Sequence, residues 1–132
     1  MIFSVDTCVL LDMLLPDPDF GERSKDILNE ANKKGDLIIC PIIYAELYPQ
    51  FNKHKELDTF LAATGIHMKP FTREILWNAG DAWNEYRDRG GKRKDRILPD
   101  FLIGAFSKIK ADWIITRDKD FYEKNFSIQI YW

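Results

Sequence analysis

Short apolar runs alternate with longer segments of helical pattern along the chain. Five of these runs are rich in β-branched or aromatic residues, which predicts β-strands. The segments between them predict helices, and apolar residues at i, i+3 and i+4 are clearest in two of them. The predicted strands cover residues 2–6, 37–40, 65–71, 112–116 and 127–132, and the predicted helices cover residues 20–35, 41–51, 54–64, 72–89 and 99–111.

The order of these elements predicts an α/β fold, because strands and helices alternate. The first, second and fourth strands lack polar alternation, as expected of parallel strands that are covered on both faces. We therefore expect a three-layer α/β/α arrangement around a mainly parallel sheet of roughly five strands. A chain of 132 residues has the length of one domain, and we expect residues 1–132 to form a single one.

Carboxylates stand where ligands bind in such folds, at the carboxyl ends of the strands. Asp6 ends the first strand, Glu46 lies on the helix after the second, and Asp100 opens the helix before the fourth. Each acid alone is explained by an ordinary role such as a helix cap or a turn, but their convergence at one sheet edge indicates a site. The fourth strand adds a polar loop, Thr116, Arg117, Asp118, Lys119 and Asp120.

Clustered carboxylates repel one another, so without a counter-ion some would be protonated at neutral pH. A divalent cation resolves this conflict. A donor set of oxygens alone favours Mg²⁺ or Mn²⁺ over zinc. These ions support phosphodiester or phosphoryl transfer, in which the metal activates water and stabilises the leaving oxygen.

The sequence carries no other recognised catalytic pattern. His54 and His67 are predicted to be a helix-surface and a strand residue, and neither a catalytic triad order nor a phosphate-binding glycine motif occurs. A phosphatase of the haloacid dehalogenase type needs a second acid where Cys8 stands, and a phosphoacceptor receiver domain needs further acids near the first strand. Asp12 is interpreted as a helix-surface residue.

Charge is distributed unevenly along the chain. The net charge is −2, yet residues 87–96, RDRGGKRKDR, carry six basic and two acidic side chains. A basic patch beside an acidic site could hold a polyanion. A solvated surface loop is the alternative interpretation.

The cysteines and the apolar runs bear on the compartment. Cys8 and Cys40 both lie in apolar surroundings, which predicts two buried free thiols. We see no charged leader at the N-terminus and no apolar run near the roughly 20 residues that cross a bilayer. We therefore expect a cytoplasmic protein without a membrane segment.

Four motifs together resemble a PIN domain, most closely a VapC-type toxin ribonuclease of a toxin–antitoxin pair. They are VDTCVLLD at the N-terminus, YAEL after the second strand, LPDFLIGAF before the fourth and WIITRDKDF at its end. Their order and spacing match over essentially the whole chain. The resemblance implies an endoribonuclease that hydrolyses RNA phosphodiester bonds with Mg²⁺ or Mn²⁺, acting as the toxin of a type II pair.

The resemblance also implies roles for individual residues. It makes Asp6, Glu46, Asp100 and Asp118 the catalytic acids. Asp6, Asp100 and Asp118 would also bind the metal.

Three further residues would support these acids. Thr7 and Thr116 match the hydroxyl residues beside the first acid and in the late loop. The same loop offers Asp120 as an alternative to Asp118, and we favour Asp118 because it lies nearer the strand end.

With the resemblance, the basic stretch is better explained by contacts to the RNA backbone. The residues concerned are Arg87, Arg89, Lys92, Arg93, Lys94 and Arg96. The resemblance further implies a homodimer and a cognate antitoxin that inserts residues at the acidic groove. A catalytically inactive PIN-like module that binds RNA or protein is the alternative, although all four acids are present. A DNA nuclease of the related flap type is disfavoured, because the chain has no room for a helical arch.

Overall fold

The protein is described here from a computed structural model that covers residues 1–92 and 95–132. Its five strands form one sheet in the order β3-β2-β1-β4-β5, and every pair of neighbours is parallel. Helices cover the sheet in a three-layer α/β/α arrangement, so the predicted fold class is confirmed. The strands are β1 (Ile2–Val5), β2 (Asp36–Ile39), β3 (Ile66–Met68), β4 (Trp113–Ile115) and β5 (Gln129–Tyr131).

The five predicted helices are all present, with ends that differ from the predicted ones by a few residues. Residues 41–51 form a helix only as far as Leu47 and continue as a 3₁₀ turn over Tyr48–Gln50, where Pro49 cannot donate a helical hydrogen bond. Two short helices lie outside the five predicted segments: α7, and α1, which was implied only by the interpretation of Asp12 as a helix residue. The helices of the described residues are α1 (Thr7–Leu14), α2 (Gly21–Lys34), α3 (Pro41–Leu47), α4 (His54–Thr64), α5 (Arg73–Asp88), α6 (Leu98–Lys110) and α7 (Lys119–Phe126).

Local sequence signals explain where several helices begin and end. The Asp6 carboxylate accepts a hydrogen bond from the Thr7 N–H at the start of α1, and the Thr72 hydroxyl accepts one from the Ile75 N–H in α5. Gly65 ends α4 with a φ of 71°, a conformation that favours glycine. None of the helices in the described ranges is long and apolar enough to cross a membrane.

The core is centred on β1, the middle strand of the sheet. Phe3 and Val5 are fully buried, and the one polar residue between them, Ser4, bonds its hydroxyl to that of Ser107 on α6. Ser107 in turn donates to the carbonyl of Ile103, so this buried pair of hydroxyls is satisfied. The aromatic residues of α5 are only partly in the core: Trp77 is 67% exposed.

Gly104 on α6 makes room for an aromatic side chain. A Cβ added there would overlap the ring of Phe126, which is itself buried against Phe101 and Phe121. The absence of a side chain at Gly104 therefore lets α7 pack directly on α6, one turn beyond Asp100.

The interpretation of Asp12 as a helix-surface residue is wrong. Asp12 is only 4% exposed, and its carboxylate accepts hydrogen bonds from Nε and an Nη of Arg117, at 3.0 and 2.8 Å, and from the Ser24 hydroxyl at 2.7 Å. The Arg117 guanidinium also lies over the ring of Phe20, 4.2 Å from its centroid. This ion pair joins α1 and α2 to the loop after β4, a link across 105 residues that no local pattern indicates.

We predict that Asp12→Asn lowers the free energy of unfolding by about 2 kcal/mol, measured by urea denaturation at neutral pH. The loss should be smaller than for a fully buried pair, because the Arg117 side chain is 30% exposed and can reach water. Asp81→Asn, at an exposed position of α5, is the control and should change stability by no more than about 0.5 kcal/mol. Equal stability of the two variants would contradict the structural role of this pair.

Candidate active site

The central feature of the candidate site is the edge where β1 and β4 end side by side. The N–H of Asp6 donates to the carbonyl of Ile115 at 3.0 Å, which places Asp6 next to the loop that begins at Thr116. Asp6 is also the N-cap of α1, since its Oδ1 accepts from the Thr7 N–H at 2.8 Å. The Asp6 carboxylate therefore both caps α1 and belongs to the acidic cluster.

Asp6 is 8% exposed, and the environment of its carboxylate is unfavourable for a charge. Burial raises its pKa above the usual range, while hydrogen bonds from Thr116, the Thr7 backbone and Tyr122 lower it, and the charge of Asp118 raises it further. The net shift is upward, so burial outweighs the hydrogen bonds. An added positive charge at this position would offset the cost.

Thr116 connects two of the predicted acids. Its hydroxyl donates to Asp6 Oδ2 at 2.7 Å and accepts from the Asp118 N–H at 3.0 Å, and the residue is fully buried. One hydroxyl group thus links the Asp6 carboxylate to the backbone of Asp118. Asp120, by contrast, is exposed in the first turn of α7.

Glu46 joins the cluster through Thr7. The Thr7 hydroxyl donates to Glu46 Oε1 at 2.7 Å, which links the start of α1 to the exposed face of α3. Asp100, in the first turn of α6, accepts a hydrogen bond from the Ile97 N–H at 3.0 Å and so caps that helix. Its charge acts on Tyr122 and on Arg96, so it belongs to the same electrostatic neighbourhood.

Tyr122 is a site residue that the sequence analysis missed. It is 3% exposed on α7, and burial, followed by the charge of Asp6, raises the pKa of its hydroxyl well above the usual value. The hydroxyl therefore stays protonated and interacts with Asp6 as a hydrogen-bond donor, close to Asp118 and Asp100. The sequence signal for Tyr122 is its spacing. It follows Asp118 by four residues in a helical segment, and residues with this spacing lie on the same face of a helix.

The half-buried Cys8 lies beside the same carboxylate. Its Sγ is 3.7 Å from Asp6 Oδ2, and burial, together with the charge of Asp6, raises the pKa of the thiol to about 11. The thiol is therefore neutral at physiological pH, which does not suit a nucleophile. Cys40 is also a free thiol and is fully buried, so the prediction of two buried thiols is confirmed for Cys40 and only in part for Cys8.

The basic stretch is divided between the surface and the site. Arg87 lies over the ring of Trp83 at 4.6 Å, Arg89 donates to Asn125 at 2.7 Å, and Lys92 is exposed. The predicted contacts at Arg93 and Lys94 lie outside the described residues.

Arg96 is the member of this stretch that reaches the acids. Its two Nη atoms lie 2.7 and 3.0 Å from the two carboxylate oxygens of Asp118. Its guanidinium also lies over the ring of Phe121, 4.3 Å from the centroid.

Two observations bear on whether a metal ion fits here. Within residues 1–92 and 95–132, no three acids, histidines or cysteines are already grouped so as to hold an ion. The donors that converge are carboxylate oxygens, one of them buried at a high cost, and a guanidinium already supplies positive charge at Asp118. The oxygen donors and their negative charge therefore fit a hard divalent cation. In this structure Arg96 pairs with the Asp118 oxygens that such an ion would use.

We predict that Asp6→Asn stabilises the metal-free protein at neutral pH. Because the pKa of Asp6 is raised in the folded state, the native protein binds a proton that the unfolded chain has released, and stability falls as pH rises between the two pKa values. Urea denaturation in EDTA should show the smallest difference from wild type in acid and a growing one toward neutral pH. Asp26→Asn, exposed on α2, should show no such trend, and a wild type more stable than Asp6→Asn at pH 7 would contradict this account.

Comparison with known proteins agrees with this architecture. A family model described as "PIN domain" matches residues 4–127, whereas no curated protein matches the sequence significantly. Similar solved structures include VapBC2 from Rickettsia felis bound to a promoter DNA fragment, with a TM-score of 0.76, 18% identity and coverage of 98% of this chain and 97% of that chain. VapBC-1 from nontypeable Haemophilus influenzae has a TM-score of 0.74, 17% identity and coverage of 98% and 96%.

A third similar structure is a toxin–antitoxin complex from Klebsiella pneumoniae, with a TM-score of 0.61, 22% identity and coverage of 94% of this chain and 89% of that chain. At these identities the structures show a shared fold. The family model supplies the assignment, because it spans nearly the whole sequence, including all the acids of the cluster. The chain belongs to the PIN-domain family, whose members are generally nucleases.

Proposed function

We propose that the protein is a divalent-metal-dependent endoribonuclease and the toxin of a type II toxin–antitoxin pair, of the VapC type. The observation that carries the proposal is the buried Asp6 carboxylate at the carboxyl edge of the sheet, with Asp118 attached to it through Thr116. In a PIN-domain chain, this arrangement is best explained if Asp6 and Asp118 are two of the ligands of a cation.

The residues would divide the work as follows. Asp6, Asp100 and Asp118 would hold Mg²⁺ or Mn²⁺, and Thr116 would keep Asp6 and Asp118 in register. Glu46, which accepts a hydrogen bond from Thr7 and is exposed to solvent, would accept a proton from a water molecule at the site. A bound divalent ion would lower the pKa of water and stabilise negative charge on the leaving oxygen.

The test is cleavage of structured RNAs with Mn²⁺, with Mg²⁺ and with EDTA. We expect cutting only with the metals, and a loss of at least about 100-fold in Asp100→Asn and in Asp118→Asn. Asp120→Asn is the matched control, because this exposed acid lies two residues from Asp118 and should keep most of the activity.

Two results would contradict the proposal. Cutting that continues in EDTA, or at an equal rate in Asp100→Asn, would remove the metal-dependent role of these acids. RNA that binds but is never cut would favour the inactive RNA-binding module. Mn²⁺ should also raise the melting temperature of the wild type, since an ion bound only by the folded state stabilises it.

The basic stretch would bind the RNA backbone. Arg87, Arg89 and Lys92 are exposed at the end of α5 and after it, on the same chain segment as Arg96. The stretch leads directly into α6, which carries Asp100. A strand of RNA along it would therefore approach the acids.

For this contact we predict that Lys92→Ala weakens binding of single-stranded RNA and lowers the slope of log affinity against log salt by about 0.7. Fluorescence anisotropy in EDTA measures binding without cleavage. Lys33→Ala is the control, because Lys33 precedes β2 and so lies at the opposite, amino-terminal edge of the sheet. Equal salt slopes for both variants would show that Lys92 does not contact the RNA backbone.

The proposed partners are a cognate antitoxin and a second copy of the chain. The similarity to a toxin–antitoxin complex supports the first. Two neighbouring exposed apolar residues on α5, Leu76 and Trp77, support an interface of the second kind. Light scattering on the isolated protein is the measurement for the dimer. Action in the cytoplasm remains a prediction from the sequence.

A further inference from the structure

The Arg96–Asp118 pair has a geometry that bears on how the acidic site is loaded. The two contacts of 2.7 and 3.0 Å form a bidentate pair, in which both carboxylate oxygens accept from one guanidinium. A carboxylate engaged in this way has one acceptor direction of each oxygen occupied. Any cation that coordinates Asp118 must share these oxygens with Arg96 or displace it.

The pair is held in place from two further sides. The guanidinium of Arg96 lies over the ring of Phe121, and the backbone N–H of Asp118 donates to Thr116. Arg96 also interacts electrostatically with Asp100, so its positive charge acts on two acids rather than on one. The pair is only partly exposed, with 30% of the arginine and 36% of the aspartate side chain accessible.

The neighbouring arginine shows the contrast. Arg117 directly precedes Asp118, but its guanidinium turns away to the buried Asp12. Arg117 therefore serves the packing of α1 and α2, whereas Arg96 brings its charge to the candidate metal ligands. The two arginines therefore have separate tasks, although Arg117 is next to Asp118 in the sequence and Arg96 pairs with its carboxylate.

We propose that Arg96 is an internal competitor for the metal ion at Asp118: its guanidinium occupies the carboxylate in the metal-free protein, and an ion that binds there must displace it or share the carboxylate with it. The proposal rests on the proposed function for the identity of the ion. It assigns to Arg96 a role that differs from backbone binding by the rest of the basic stretch. Arg96 neutralises the cluster before loading and thereby lowers the apparent affinity for the metal.

Calorimetric titration of Mn²⁺ into the metal-free protein tests the competition without reference to activity. Arg96→Met, which keeps most of the side-chain length but loses the charge, should bind Mn²⁺ about three- to tenfold more tightly than wild type. Arg89→Met removes the same charge from the same stretch, but Arg89 pairs with Asn125, so the affinity of this control should stay close to that of wild type. Arg96→Lys keeps the charge, loses the bidentate pair and should fall in between.

A double-variant cycle locates the effect at Asp118. In an Asp118→Asn background, Arg96→Met should change Mn²⁺ affinity no more than Arg89→Met does, because the competing carboxylate is gone. Thermal melting gives a second readout. Arg96→Met should melt below wild type in EDTA, because Asp118 has lost its cation near Asp6, and it should gain more than wild type on addition of Mn²⁺.

The outcomes separate this proposal from the proposed function. If wild type and Arg96→Met bind Mn²⁺ equally, the competition is refuted while a metal-dependent nuclease stands. If Arg89→Met tightens binding as much as Arg96→Met does, the effect is one of net charge and the specific role of Arg96 is refuted. If no variant binds Mn²⁺ at millimolar concentration, both proposals fail.

Discussion

The burial of the Asp6 carboxylate is the constraint on which the rest of the site depends. Moving an ionised carboxylate out of water costs several kcal/mol, whereas each hydrogen bond to a charged group returns about 1.5–3 kcal/mol. Asp6 receives such bonds from three places, the start of α1, the loop after β4 and α7. Its pKa is nevertheless raised, so compensation is incomplete. The start of α1, the loop after β4 and α7 thus surround a carboxylate whose charge they stabilise only in part. A cation beside Asp6 would supply further stabilisation.

The sheet topology explains why this charge can be held at all. β1 is the central strand, with β2 and β4 on its two sides, so its carboxyl end is enclosed by neighbouring chain ends. The backbone bond from Asp6 to Ile115 fixes β4 alongside, and the next residue of that chain is Thr116. A carboxylate at the end of an edge strand would have one neighbour and more water. The central position therefore gives both the burial and the hydroxyl group that makes burial tolerable.

Sequence patterns predict much of this arrangement. The parts that they do not predict share the same cause. The strands and the longer helices are predictable because apolar runs and helical periodicity are local signals. Asp6 and Asp118 are predictable as neighbours because parallel strands bring their carboxyl ends to one edge. The burial of Asp12 is not predictable, since its partner Arg117 lies 105 residues away and charged residues are usually exposed. The contact of Arg96, at the end of the basic stretch, with Asp118 is hidden for the same reason, because the two residues lie 22 positions apart.

The loop after β4 shows how a short segment can supply several site residues. Thr116 donates its hydroxyl to the Asp6 carboxylate, whereas Arg117, at a bend in the chain, directs its guanidinium to Asp12 on α1. The Asp118 N–H donates back to the Thr116 hydroxyl, which forms a local side-chain turn directly before α7. The helix begins at Lys119, and Asp120 in its first turn is exposed. On a helix, the residue that returns to the face of Asp118 is four positions further on, which is Tyr122. Proximity to the strand end favours Asp118 over Asp120 in the sequence, and the turn at Thr116, which keeps the Asp118 backbone next to the hydroxyl that binds Asp6, is a physical reason for that preference.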